Sequence, residues 1–236
     1  MEKRRKIVVL TGAGISRESG IPTFRDSNGM WKNYDAMKLA SVEGFKDDPE
    51  AVLDFYNARR KNLLEVQPNH AHKMLAELEK QHDVAIVTQN VDDLHERAGS
   101  SLVIHLHGEL KKVTSSLNRF DPNCIKDYPL DMPIKMGDKA ADGSQLRPFI
   151  VWFGETLGPE AELAVRLVMI ADIFVVIGTS LIVYPAAGLV DYAQQNVPKF
   201  LIDPGDLHDR LPEGFRYIQK TAVEGIDILL EEISKL

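Results

Sequence analysis

The chain has 236 residues, of which 44% are hydrophobic and 27% charged, and this composition excludes a disordered, collagen-like or coiled-coil protein. Its 28 basic and 35 acidic residues give a net charge of −7, which argues against a protein whose main task is to bind nucleic acid. The single cysteine, Cys124, excludes an intramolecular disulfide and a zinc site built on cysteines.

The apolar segments are too short for secretion or for a membrane span. The run at residues 7–10 is too brief for the core of a signal peptide. The most apolar later stretch, residues 167–184, is interrupted by Asp172 and by a Gly-Thr-Ser turn, whereas a membrane span needs about 20 largely continuous apolar residues. We therefore expect a soluble, cytoplasmic protein without membrane contact.

Short apolar runs predict five β-strands, each followed by polar or glycine-rich residues. The runs span residues 7–10, 84–87, 102–104, 173–177 and 199–202. They lack strict alternation of apolar and polar residues, which is typical of strands covered on both faces in a parallel sheet. Helical patterns lie at residues 49–64, 70–81, 160–170, 184–195 and 224–236. This order predicts an α/β fold with a doubly wound, parallel, Rossmann-like sheet.

Two stretches interrupt the alternation and predict a smaller inserted lobe. Residues 29–67 are helical and polar, and residues 111–148 are rich in Pro, Asp, Gly and Lys. Such long irregular stretches inside a domain usually belong to a functional insertion. The predicted Rossmann-like domain is made of residues 1–28, 68–110 and 149–236. The predicted lobe is made of residues 29–67 and 111–148.

A glycine-rich turn follows the first predicted strand. Ligands bind beyond the carboxyl ends of strands in such a sheet, and the segment from Gly12 to Ser16 could offer open backbone N–H groups to a phosphate, or could be only a turn. After Gly14 the next glycine is Gly20, so the G-x-G-x-x-G fingerprint of hydride-transferring dehydrogenases is absent. No P-loop lysine follows either.

Six motifs follow one another along the chain: Gly-Ala-Gly-Ile-Ser at 12–16, Ser-Gly-Ile-Pro-Thr-Phe-Arg at 19–25, the Thr-Gln-Asn-Val-Asp-Asp segment that opens 88–99, His107-Gly108, Val-Trp-Phe-Gly-Glu at 151–155 and Gly-Thr-Ser-Leu at 178–181. Taken together and in this order, they resemble the sirtuin family of NAD-dependent protein-lysine deacylases, from about residue 6 to the C-terminus. The resemblance implies acylated-lysine proteins or peptides as partners. It implies NAD as co-substrate, with transfer of the acyl group to ADP-ribose and release of nicotinamide. Two alternatives stay open: a mono-ADP-ribosyltransferase, or a non-catalytic NAD or ADP-ribose sensor.

The resemblance also implies which residues bind NAD. The glycine turn and the segment with Phe24 and Arg25 wrap the diphosphate and the nicotinamide ribose. Asn90 contacts the ribose and Asp92 holds the nicotinamide carboxamide, although either could instead cap the following helix. Asp203 is near the adenosine, or is only a turn residue. The implied set is Gly12, Ala13, Gly14, Ser16, Phe24, Arg25, Gln89, Asn90, Asp92, Gly178, Thr179, Ser180, Asp203 and Ala222.

His107 matches the catalytic histidine of the family, and Asn90 and Asp92 complete the implied catalytic set. A histidine whose pKa is about 6.5 can accept a proton near neutral pH. The resemblance implies that His107 helps to deprotonate a ribose hydroxyl. The motif normally has an acidic or polar residue where this chain has His105, so this position departs from the family pattern.

A predicted helix carries a pattern that resembles the acyl pocket of sirtuins that remove succinyl and malonyl groups. Tyr56 and Arg59 lie three residues apart and share one helix face. A guanidinium can bind a carboxylate through two hydrogen bonds, and the small Ala40 matches a position that leaves room for the longer chain. The alternative is a solvated helix face. We expect desuccinylase and demalonylase activity, with deacetylation also possible.

The segment with Val151, Trp152 and Phe153 resembles the one that takes up the substrate peptide as an added strand. Pairing between main chains makes such binding tolerant of peptide sequence. These three residues complete the predicted substrate site.

The cysteines that hold a structural zinc in most sirtuins are missing. Ser115-Ser116 and Gly137-Asp138 stand near the places of the two Cys-x-x-Cys pairs. We therefore expect no metal site and no structural zinc. The lobe is expected to be held by packing around Phe120, Ile125, Tyr128, Leu130 and Ile134.

Overall fold

The strands form two separate sheets. The structure, a computed structural model, describes residues 4–23, 36–179, 181–207, 211 and 213–236. The strands among these residues are β1 (Lys6–Thr11), β2 (Asp83–Thr88), β3 (Val103–His105), β4 (Gly108–Ser115), β5 (Lys126–Asp127), β6 (Leu146–Ile150), β7 (Ile173–Ile177), β8 (Lys199–Ile202) and β9 (Phe215–Ile218). The larger sheet is wholly parallel, in the order β3-β2-β1-β7-β8-β9. The strand order reverses between β1 and β7, which is where ligands bind in folds of this kind.

Helices cover both faces of the large sheet and continue into the lobe. They are α1 (Ala36–Leu39), α2 (Val42–Asp47), α3 (Pro49–Glu65), α4 (His70–Leu78), α5 (Leu94–Ala98), α6 (Glu160–Met169) and α7 (Ala222–Ser234). Short 3-10 helices lie at Ala13–Ile15, Arg17–Ser19 and Ala186–Tyr192. Over the part of the chain that is described, none of the helices has the length and apolar character needed to cross a membrane.

The core consists of two apolar layers, one on each face of the large sheet. In β1, Ile7 and Val9 face the layer that includes α4 and α7, whereas Val8 and Leu10 face the layer that includes α6. The strand is therefore buried on both sides, which explains why its sequence is continuously apolar. The predicted α/β fold with a smaller lobe is confirmed.

The structure corrects two details of the predicted elements. The stretch 184–195, predicted as a helix, forms a 3-10 helix only at Ala186–Tyr192. The irregular stretch 111–148 contributes to a small antiparallel sheet in the order β5-β4-β6. Because β4 begins at Gly108 and β6 ends at Ile150, this sheet extends beyond the predicted lobe boundaries at 110 and 149.

The small sheet packs on α3 through a cluster of buried side chains. Cys124, Ile134 and Leu146 are at most 3% exposed and pack with Leu53 of α3. Of the residues predicted to hold the lobe, Ile134 lies inside this cluster, but Phe120 is 40% exposed. Phe120 stays outside because its ring is stacked against the guanidinium of Arg119, 4.1 Å from the ring centroid, at the surface.

Polar contacts complete the attachment of the lobe to α3. Arg60 is fully buried and donates hydrogen bonds to the carbonyl oxygens of Leu110 and Pro129. Asn57 donates to the Ile134 carbonyl (2.8 Å) and accepts from the Ile134 amide (2.9 Å). The lobe is thus fastened by hydrogen bonds as well as by packing.

The position expected for the first cysteine pair carries a hydroxyl network. Ser115 Oγ donates to the Asp142 carboxylate, lies 2.8 Å from Ser144 Oγ and accepts from the amides of Leu117 and Asn118. These donors and acceptors satisfy one another. With one cysteine in the whole sequence, the residues present do not fit a four-thiolate zinc site.

Candidate active site

A cavity of about 860 Å³ opens at the carboxyl ends of β1, β2 and β7, a size in the range of small-molecule sites. Phe24, Arg25 and Ser180 were predicted for this site and lie outside the described residues. The structure brings the other predicted residues together in the cavity wall, with Ser16 as the exception. The wall includes Gly12, Ala13, Gly14, Ala40, Tyr56, Arg59, Gln89, Asn90, Asp92, His107, Val151, Trp152, Phe153, Gly178, Thr179, Asp203 and Ala222.

The glycine turn is packed closely against the turn after β7. Gly12 N donates to Ile177 O (3.0 Å) and Gly14 N donates to Gly178 O (2.8 Å). A Cβ atom on Gly14 would lie 2.6 Å from Gly178 Cα, so only glycine allows this approach. Of the two possibilities left open for this segment, Gly12 and Gly14 fit the turn, because their N–H groups already donate to main-chain carbonyls. Their role is to bring two strand ends together.

Asn90, Asp92 and Ser16 form one hydrogen-bonded group after β2. Asn90 Nδ2 donates to Ser16 Oγ (3.1 Å), which donates to Asp92 Oδ2 (3.0 Å). Asp92 Oδ1 also accepts from the Leu94 amide (3.2 Å), so this aspartate supports the start of α5 as well as facing the cavity. Ser16 is fully buried behind the two side chains and does not reach the cavity wall. Burial raises the pKa of Asp92.

His107 is held by the main chain of the same loop. Its Nδ1 lies 3.0 Å from the Gln89 oxygen, and a carbonyl oxygen only accepts, so Nδ1 carries the proton. In the neutral ring Nε2 is then the basic nitrogen. Burial lowers the pKa of His107, partly opposed by the Gln89 hydrogen bond, so the ring is neutral at physiological pH. The Gln89 side chain donates to Thr179 Oγ1 (3.2 Å) and links the loops after β2 and β7.

Asp203 is a turn residue that also lines the cavity. Its side chain accepts from the Gly205 amide (2.8 Å), as a turn residue does, and it is buried in the cavity wall. Ala222, the first residue of α7, lies in the same part of the wall.

Tyr56 and Arg59 face the cavity from α3. The Arg59 guanidinium carbon lies 5.8 Å from the centroid of the Tyr56 ring, which in turn packs 6.4 Å from the Trp152 ring. Burial raises the pKa of Tyr56 to about 12, so its phenol keeps its proton and remains a hydrogen-bond donor. The Phe153 amide donates to the Ala40 carbonyl (2.8 Å), which joins the predicted peptide-binding segment to the end of α1.

A buried layer of histidines behind the site was not predicted. His72 Nε2 lies 3.4 Å from Ser16 Oγ, and the His72 and His95 rings are 4.8 Å apart. Burial lowers the pKa of His72 to about 4. His105 contacts the Asn90 carbonyl and Glu96. In the sequence, the spacing of polar residues before and within α4 and α5 is the signal that could have suggested a layer of buried polar side chains behind the site.

The comparisons with known proteins agree with this geometry. A family model described as the Sir2 family matches residues 12–185. A Bacteroides thetaiotaomicron protein named NAD-dependent protein deacylase is 56% identical over 226 residues, covering 95% of this chain and 96% of that protein. A solved Sir2 homolog in complex with NAD is 40% identical with a TM-score of 0.82, covering 97% of this chain and 89% of the other. A solved Sir2 mutant with a deacetylated p53 peptide and 3′-O-acetyl ADP-ribose is 32% identical with a TM-score of 0.77, covering 98% and 94%.

The fold and the cavity at its switch point define an NAD-dependent protein deacylase. The chain belongs to the Sir2 family. The resemblance to sirtuins drawn from the six motifs is confirmed.

Proposed function

We propose that the chain deacylates lysine side chains of proteins and prefers acyl groups that end in a carboxylate, such as succinyl and malonyl. One observation carries the acyl preference. Tyr56 and Arg59 line the same cavity as Asn90, Asp92 and His107. A lysine that reaches the catalytic residues would therefore bring the far end of its acyl group within range of a guanidinium and a phenol.

The residues present fit NAD as the second substrate. The cavity joins the turns after β1, β2 and β7, and its polar groups include Asn90, Asp92 and Asp203. NAD supplies ADP-ribose as the acyl acceptor, so that one water and one NAD are consumed while nicotinamide, free lysine and O-acyl-ADP-ribose are formed. Asn90 would orient the nicotinamide ribose, and Asp92 would hold the carboxamide.

His107 is suited to act as the general base. Its Nδ1 proton is committed to the Gln89 carbonyl, which leaves Nε2 to accept a proton from a substrate hydroxyl. The lowered pKa keeps Nε2 unprotonated at neutral pH. The peptide substrate would pair with the main chain at Val151, Trp152 and Phe153. The amides of these three residues already donate to the His107 carbonyl, the Glu155 carboxylate and the Ala40 carbonyl, so the carbonyl oxygens of the segment would accept from the peptide.

The acyl preference follows from charge. Arg59 lines the cavity, and burial lowers the pKa of its guanidinium, which means that the charged form is destabilised there. A carboxylate beside it would offset that cost. A hydrogen bond to a charged group contributes about 1.5–3 kcal/mol. Neutral Tyr56 would add one more donor.

The test compares acetyl-lysine and succinyl-lysine on the same peptide, with nicotinamide release and free lysine followed together. Wild type should turn over the succinyl peptide with the higher kcat/KM. Arg59→Met should lower kcat/KM for the succinyl peptide about ten- to 100-fold and change the acetyl value less than about threefold. Tyr56→Phe should act in the same direction with a smaller effect, and Arg166→Met, an exposed arginine on α6, serves as the control.

Each outcome bears on a different part of the proposal. Equal losses on both peptides in Arg59→Met would refute the acyl pocket while leaving deacylation in place. Nicotinamide release without free lysine would show ADP-ribosyl transfer instead. NAD binding without nicotinamide release in wild type would identify a sensor.

A further inference from the structure

Two histidines hold consecutive carbonyl groups of the loop after β2. His107 Nδ1 lies 3.0 Å from the Gln89 oxygen, and His105 Nδ1 lies 3.0 Å from the Asn90 oxygen. Since a carbonyl oxygen only accepts, both Nδ1 atoms donate a proton. The loop that carries the Asn90 side chain is therefore fixed at two successive peptide groups, both from the segment at the end of β3.

The second nitrogen of His105 faces a carboxylate. Its Nε2 lies 2.7 Å from Glu96 Oε1, and the His105 side chain is 8% exposed. With a carbonyl at one nitrogen and an ionised carboxylate at the other, the ring satisfies both only when both nitrogens are protonated. The geometry thus favours a charged ring buried behind the active site.

The groups around His105 support this charge state. Glu96 of α5 and Glu109 of β4 face the ring with acidic groups, and Asp92 contributes from the loop. Two groups act against the charge: His95 of α5 interacts with the ring as a like charge, and Glu109 is also paired with Lys111 and Lys112. Burial opposes the charged form, but the hydrogen bond and charge of Glu96, with help from Glu109, outweigh it and raise the pKa of His105 above its usual range. The second oxygen of Glu96 is buried and has no hydrogen-bond partner among the described residues.

His105 acts on the cavity only through its neighbour. Asn90 and His107 line the cavity, whereas His105 lies behind the wall. The Asn90 side chain is bonded to Ser16 (3.1 Å). It leaves the same Cα as the carbonyl that His105 holds, so a shift of that carbonyl would also move the side chain. A displacement of about 1 Å in a catalytic group can lower the rate about 100-fold.

We propose that His105 and Glu96 are positioning residues of the deacylation reaction. The imidazolium of His105, anchored by Glu96, fixes the Asn90 peptide group and thereby aligns the Asn90 side chain and His107 with the nicotinamide ribose. This inference rests on the proposed function, because it assigns the ribose to the place that Asn90 and His107 face.

The test uses the full chain, NAD and a succinyl-lysine peptide. His105→Leu removes the donor to the Asn90 oxygen, whereas in His105→Asn the amide nitrogen takes the place of the ring Nδ1 and can still donate. His70→Leu is the matched control, since His70 also pairs with a carboxylate, that of Asp227 at 2.9 Å, but on the surface. Thermal unfolding of every variant is measured alongside kcat and KM.

We expect His105→Leu to lower kcat about tenfold or more while KM for NAD and for peptide changes less than about threefold. His105→Asn should restore kcat to within about threefold of wild type, and His70→Leu should match wild type. A kcat for His105→Leu within twofold of wild type would overturn the proposal, and so would an equal loss in His105→Asn. A wild-type protein without NAD-dependent deacylation would refute the proposed function instead.

If His105→Leu unfolds below the assay temperature, Glu96→Ala and Glu96→Gln answer the same question. Glutamine can donate to Nε2 of a neutral His105 ring and so keep it in place, while alanine removes the anchor. Loss of kcat in Glu96→Ala with recovery in Glu96→Gln supports the proposal. Wild-type turnover in Glu96→Ala contradicts it.

Discussion

Replacing Arg60 with methionine measures how much the buried guanidinium contributes to holding the small lobe. The side chain is fully buried and binds the carbonyl oxygens of Leu110 and Pro129, with a third at Tyr128 (3.3 Å). Methionine keeps most of the volume but leaves two strongly bonded carbonyls without donors. The Leu110 contact is buried and the Pro129 contact partly buried, and each unsatisfied group that water does not reach costs about 1–3 kcal/mol. The loss is partly offset because the cation no longer has to be desolvated, so we expect about 3 kcal/mol.

For a chain of this size, 1 kcal/mol corresponds to about 2–4 °C in Tm, so calorimetry on Arg60→Met should show a decrease of about 6–12 °C. Limited proteolysis should cut within residues 116–145 faster than in wild type. Arg166→Met is the control, because its exposed ion pair with Glu162 contributes at most about 1 kcal/mol. A Tm for Arg60→Met within about 1 °C of wild type would refute the reasoning, because the two carbonyls would then have found other partners at no cost.

Three further predictions concern the site and the layer behind it. The lowered pKa of His107 places the acid limb of kcat/KM below pH 6.5, since activity is lost as Nε2 is protonated; a midpoint above pH 7 would contradict this. Because the folded-state pKa of His72 is about 4, below the unfolded value of about 6.5, the free energy of unfolding should fall by about 3 kcal/mol as pH decreases from 6.5 to 4. His72→Gln should remove this part of the acid sensitivity in pH-dependent melting, and exposed His70→Gln should not. Gly14→Ala would bring a Cβ to 2.6 Å from Gly178 Cα and should raise KM for NAD about tenfold or more, whereas Gly188→Ala should leave it unchanged.

The central strands could be predicted because burial on both faces leaves a continuous apolar run, as in Ile173–Ile177. Other elements have no such pattern. The register shift between Glu109 and Val113 breaks the alternation of buried and exposed side chains along β4. The small sheet therefore could not be predicted from the sequence pattern. The edge strand β9 is short and carries an exposed arginine, Arg216, so its sequence pattern is typical of a loop.

In the candidate site, too, one part could be predicted from the sequence and another could not. Local motifs predicted the positions of Asn90, Asp92 and His107, and helix spacing predicted that Tyr56 and Arg59 share a face. The contacts that hold these residues, such as His105 with the Asn90 carbonyl, join a side chain to a main-chain atom. The sequence does not show which main-chain carbonyl will accept such a bond, because every residue carries a carbonyl group.

The helix α3 places two pairs of residues on adjacent faces, with Tyr56 and Arg59 toward the cavity and Asn57 and Arg60 toward the lobe. A guanidinium bound to carbonyl oxygens undergoes no redox chemistry and does not exchange with free metal ions in the surrounding solution. The clamp on the lobe is therefore unaffected by peroxide or by chelators, conditions that would dismantle a thiolate–metal cross-link.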